Sequence, residues 1–172
     1  MKNNKLRKNM YLALLVSLSL AISILELMIP LPVAIPGAKL GLSNIIILVT
    51  IYFYDFKSSI TVSILKSILL MLVTGSVTSF FYSLSGAILS TIGMYLSLKF
   101  KGEFFSLIGV SEIGSFLHNL GQIMVACFVM NNLKIFYYLP ILVIIGIFTG
   151  FFVGISSNML IAHIDKLRMR IK

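Results

Sequence analysis

The sequence predicts an all-α, polytopic membrane protein of six transmembrane helices in a single bundle. Three observations carry this. Of 172 residues, 59% are hydrophobic and only 11% are charged. A soluble core of this size cannot absorb so much apolar surface, so the remainder must face lipid. The apolar residues also fall in runs near the roughly 17–25 residues that a helix needs to cross a bilayer. The charges sit at the ends of those runs.

The spans are taken in chain order, as one integral domain over residues 1–172. The first covers 9–29, behind the basic stretch MKNNKLRKN. Its apolar run is too long for a signal peptide and no small-x-small cleavage site follows, so it reads as an uncleaved span. LPVAIPGAKLGLSN, residues 31–44, is the long connection, and its two prolines and two glycines argue against regular helix. The second span, 39–55, is short and begins at the end of PGAK. The third, 57–75, and fourth, 77–99, follow tight connections at Asp55–Lys57 and Gly75–Ser76, which predicts antiparallel hairpins. The fifth and sixth cover 106–130 and 135–161.

Lysine and arginine positions set the orientation. With the N-terminus inside, the inner segments hold Lys2, Lys5, Arg7, Lys8, Lys57, Lys99, Lys101, Lys166, Arg168, Arg170 and Lys172. The outer segments hold Lys39 and Lys134, and Lys66 lies within a span. This bias predicts two cytoplasmic termini in a bacterial-type plasma membrane. The net charge of +9 does not indicate nucleic acid, because the basic residues form no patch with interleaved aromatics.

Two spans carry small residues at four-residue spacing, which lets helices approach closely in lipid. Ala13, Ser17 and Ala21 on the first form either an internal contact or a docking face for a separate subunit. Gly146, Gly150 and Gly154 on the sixth form either internal packing or a dimer face.

Intramembrane charges are costly and usually face the bundle interior with a partner. Lys66 and Glu112 differ in predicted depth by only about 4–5 Å, so the sequence pairs them, as a structural or a coupling pair. Glu26 lies near the outer end of the first span and Lys39 follows within the long connection, so the two could meet above the membrane, as a latch, as ligand contacts or as an ordinary interface pair.

The stretch SEIGSFLHNLGQ, residues 111–122, is the most polar part of the spans. Glu112, Ser115, Asn119 and Gln122 share a helix face, with His118 alongside. The amides either bond neighbouring helices or line a polar pocket. Phe80, Phe81, Tyr82 and Ser83 start the fourth span at the same level, and Tyr137 and Tyr138 precede the sixth. A few polar groups among aromatics, beneath a loop, is a common form of small-molecule site. The candidate set is Lys39, Asn44, Phe81, Tyr82, Ser83, His118, Asn119 and Gln122.

No catalytic set emerges, and the chain is expected not to be an enzyme. Asp55 and Asp165 are the only aspartates, so an aspartate-rich magnesium–diphosphate motif is absent. There is no Walker-type glycine–lysine loop. His118 and His163 fall at different depths and make no zinc pair. Cys127 stands alone, which excludes an intramolecular disulfide. No cofactor is expected.

Three stretches, AIPGAKLGLSNI (34–45), FFYSLSGAILS (80–90) and IGVSEIGSFLHNLGQ (108–122), resemble the Gx transporter family, also labelled heptaprenyl diphosphate synthase component I. That family is similar to the substrate-binding S components of energy-coupling factor importers. The resemblance implies six helices with cytoplasmic ends and an outward ligand site under the first long loop. It also implies docking of the first helix on a transmembrane coupling subunit that works with two ATPase subunits. Ala13, Ser17 and Ala21 match the docking pattern, with serine at its centre. Relatives resemble proteins linked to flavin-based extracellular electron transfer and to quinone or isoprenoid metabolism.

The expected function is therefore a membrane-embedded subunit that captures a small, micronutrient-like molecule. Lys39 would neutralise an anionic group, Asn119 and Gln122 would supply hydrogen bonds, and Phe81 and Tyr82 would stack. The alternative is a non-transporting scaffold or assembly subunit, its polar face serving as internal glue. A role within a prenyl synthase is a third reading.

Overall fold

A computed structural model describes residues 2–29, 39–100 and 106–171. These are all-helical, with no strand among them. Six α-helices form: α1 (Lys2–Glu26), α2 (Asn44–Phe53), α3 (Phe56–Thr74), α4 (Val77–Lys99), α5 (Leu107–Val129) and α6 (Leu139–Ile171). A short 3-10 turn at Leu133–Tyr138 leads into α6. Residues 31–38 of the long connection, expected to cover the ligand site, lie outside the described residues.

Local chemistry places the boundaries. Asp55 caps α3 by accepting from the Ser58 amide at 2.7 Å. Gly75 ends α3 at φ 67°, a left-handed conformation that glycine adopts without a steric penalty. Ser76 and Ser106 cap α4 and α5 by accepting from Ser79 and Gly109 amides.

Among the described residues, four helical segments are long and apolar enough to cross a membrane: Lys5–Glu26, Phe56–Thr74, Val77–Lys99 and Leu133–Leu167. The polar run in α5 keeps that helix off this count, although 23 residues give it about 34 Å of length. The second predicted span is corrected. Only ten of its residues are helical, about 15 Å against a hydrocarbon core of roughly 30 Å. Eight of those ten are buried, and α2 touches all five other α-helices. A helix apolar on every side belongs at a protein's centre or in lipid. Here α2 is the central post, ringed by the longer helices.

The surrounding helices follow chain order as an open ring, since α1 and α6 make no direct contact among the described residues. α1 packs on α3, α3 on α4, α4 on α5 and α5 on α6. Tyr11 of α1, Phe53 of α2 and Leu167 of α6 line one groove, so both ends of the chain reach the same end of the bundle.

Lys8 reaches across to Asp55 at 2.7 Å and ties α1 to the α2–α3 turn. The Lys8 hydrogen bond, aided by the Ser58 amide, lowers the Asp55 pKa from 3.8 to about 2. A depressed carboxyl pKa stabilises the fold above the unfolded value, and that contribution is lost as pH falls from about 4 through about 2. Both side chains are half exposed, so the pair itself contributes little. We expect Asp55→Ala to cost about 1 kcal/mol, mainly through the lost cap. Thermal unfolding at neutral pH checks this, and the difference from wild type should shrink at pH 2.

Candidate binding site

The polar residues of α5 divide between two faces. On the first, Ser111 donates to the Gly150 carbonyl at 2.6 Å, Ser115 to Gly146 at 2.8 Å and Asn119 to Leu142 at 2.8 Å. The steps are four residues on each helix and run in opposite directions. This is a regular ladder between antiparallel helices. The glycines on α6 make it possible. A Cβ on Gly146 would lie 2.8 Å from Asn119 Nδ2, and one on Gly154 would lie 2.7 Å from Ile108 Cα. The glycine stripe is therefore an internal seam of the chain, not a dimer face. Asn119 is spent on this seam, which removes it from the predicted pocket.

The second face of α5 meets the end of the long connection. Gln122 Oε1 accepts from the Lys39 amide at 2.6 Å, and Gln122 Nε2 donates to the Lys39 carbonyl at 2.8 Å. One side-chain amide thus clasps one backbone residue at both of its polar groups. Glu26 at the end of α1 accepts from the Gly41 and Leu42 amides. Gly41 stands at φ 82°, which bends the chain into α2. The His118 ring lies between two glycines. A Cβ on Gly41 would approach its Cδ2 to 2.9 Å, and one on Gly86 would approach its Nδ1 to 2.8 Å.

Lys66 completes the group. It is 1% exposed and donates to Ser43 Oγ at 2.9 Å. Ser43 precedes α2 at the N-cap, yet its side chain makes no capping bond. Lys66, Glu26 and Lys39 lie within electrostatic reach of one another. This corrects the Lys66–Glu112 pairing. Glu112 is turned to the α6 side, where its carboxylate lies against Gly150. Similar depth did not suffice, because the two side chains leave their helices in different directions.

Glu26, Lys39, Asn44, Lys66, His118 and Gln122 are all at least nine-tenths buried. Within this cluster several atoms have no hydrogen-bond partner among the described residues. They are Glu26 Oε2, Lys39 Nζ and Asn44 Oδ1. The His118 ring has the Gly86 backbone as a loose hydrogen-bond partner, which leaves its other ring nitrogen free. Most buried polar groups in proteins are paired, so a concentration of unpaired ones marks a place built for something else.

The remaining predicted residues fall elsewhere. Phe81 is 48% exposed on the outer surface of α4, away from the cluster. Tyr82 is buried in an apolar core with Ile123, Ala126, Cys127, Ile135 and Leu142. Ser83 bonds Ser67 at 3.1 Å across the α3–α4 contact, one residue from Lys66. Ala13, Ser17 and Ala21 are exposed on α1, whereas Val16, Ser19, Ser23 and Glu26 face inward. The internal-contact reading of that stripe is thereby set aside.

The sequence underrated Glu26 and Lys66. The signal was present: Glu26 is the acid nearest Lys39 in the chain, and a buried lysine needs a counter-charge.

A ring of apolar helices around a central short helix, with a charged cluster inside, defines a multi-pass membrane protein. The family model described as heptaprenyl diphosphate synthase component I matches residues 15–160. The chain belongs to this family, the Gx transporter family. No curated protein and no solved structure matches the chain.

Proposed function

We propose that the protein is the substrate-capture subunit of an energy-coupling factor-type importer in the plasma membrane of a bacterial-type cell. The observation that supports this reading is the buried cluster beneath the end of the long connection, with its unpaired polar atoms. Helix-to-helix bonding accounts for Ser111, Ser115 and Asn119. It does not account for Glu26, Lys39, Asn44 and His118. The segment 39–43 is fastened by two side chains, Gln122 and Glu26, whose release would open the cluster from above. In this reading the chain has no catalysis of its own, and the synthase in the family's name describes no reaction here.

The free stripe of α1 supports a docking role. Ala13, Ser17 and Ala21 are flanked by exposed Met10, Leu14, Leu18 and Leu25. Small residues among large apolar ones admit close approach of a partner helix. The partner would be a transmembrane coupling subunit carrying two ATPase subunits. The test is Ala13→Leu with Ala21→Leu, purified from native membranes. We expect the ATPase subunits to co-purify with the wild-type chain and to be lost from the variant, with its thermal unfolding unchanged. Retained assembly would reject this docking face.

A further inference from the structure

We infer that the cluster binds its small molecule through an anionic oxygen group, a carboxylate or phosphate, at the Lys39 and Lys66 ammonium groups, with His118 and Asn44 meeting hydrogen-bonding groups of the same molecule. The inference rests on the capture reading above.

Charge counting carries it. Two ammonium groups and one carboxylate face one another in a region closed to solvent. With all three ionised, they leave an excess of one positive charge. Glu26 is already in this sum, and its free Oε2 adds no second negative charge. Among the described residues the ion pair that forms is Lys8–Asp55, far along the bundle. Lys66 uses one of its three donors on Ser43, and Lys39 uses none. An uncompensated charge in a low-dielectric interior is strongly unfavourable, and two like charges add repulsion. A neutral ligand would leave the excess in place, and a cation would double it. One anionic group cancels it and supplies acceptors for the free ammonium protons. Asn44 Oδ1 offers an acceptor, and the His118 ring offers donor or acceptor capacity, to the rest of the molecule.

The test uses the full chain, purified gently from its own membranes into nanodiscs of zwitterionic phosphatidylcholine, which has no net charge. Native mass spectrometry measures what stays bound, and the released molecules are identified. We expect about one small molecule per chain that carries an ionised carboxylate or phosphate. Occupancy should fall about tenfold or more in Lys39→Met, the scale of a lost charged hydrogen bond. A bound small molecule without an anionic group overturns the inference and leaves capture standing. An anionic phospholipid lost on Lys39→Met upholds the anion site and overturns capture. An empty wild-type chain overturns both.

A second measurement needs no ligand. After the bound molecule is washed out, Lys39→Met should raise the thermal midpoint above that of the empty wild type, because it removes the excess charge. An unchanged or lower midpoint would make Lys39 a structural counter-ion of Glu26 and overturn the inference.

Discussion

Glu26→Ala is expected to be among the most damaging single changes in this protein, at about 3–5 kcal/mol. The carboxylate is 3% exposed and does two things. It accepts the Gly41 and Leu42 amides, which fixes the turn into α2. It is also the negative charge within reach of both Lys39 and Lys66. Its removal would strand two buried cations and two backbone donors together. Glu26→Gln should fall between alanine and wild type, since an amide oxygen can still accept the two amides. Lys66→Met on top of Glu26→Gln should cost less than the sum of the single changes, because the groups interact. Thermal unfolding in nanodiscs checks the series. Additive costs would mean that Glu26 and Lys66 do not sense each other.

Gly154→Leu is expected to pry α5 from α6. Even a Cβ there would lie 2.5 Å from Ser111 Oγ and 2.7 Å from the Ile108 backbone. The backbone cannot rotate away as a side chain can. Overpacking of a tight contact costs about 1–3 kcal/mol, and the leucine also threatens the Ser111, Ser115 and Asn119 ladder. Interhelical bonds of this type contribute about 0.6 kcal/mol each in membrane proteins, so losing all three would add about 2 kcal/mol. Gly154→Ala should be milder and Gly154→Leu should fail to give a monodisperse protein. Size-exclusion profiles and thermal midpoints read both. If the variant stayed as stable as wild type and only its oligomeric state changed, the seam would be a dimer contact after all.

Much of the architecture was legible because lipid imposes simple rules. An apolar run of sufficient length must satisfy its backbone internally, which makes it a helix. Tight turns at Asp55 and Gly75 then force antiparallel neighbours. The second segment is shorter than its apolar run suggests, for a reason in the same chemistry. A short apolar run is consistent with a span or with a buried core helix, and α2 is buried by the other helices. Composition alone cannot distinguish lipid from protein as the apolar surroundings.

The sequence by itself determined the membrane class, the helix boundaries set by Asp55, Gly75, Ser76 and Ser106, and the presence of a polar face on α5. It also supplied Lys39, Asn44, His118 and Gln122 as candidate binding residues. Only the tertiary structure decided how those polar residues are shared out. Asn119 and Gln122 lie three residues apart on one helix, yet one bonds α6 and the other clasps Lys39. Phe81 and Tyr82 are adjacent, yet one faces outward and the other enters the core. Spacing along a helix fixes which residues are neighbours on its surface. What they touch depends on the neighbouring helices, and those contacts join residues such as Glu26, Lys39, Lys66 and His118 that are far apart in the chain.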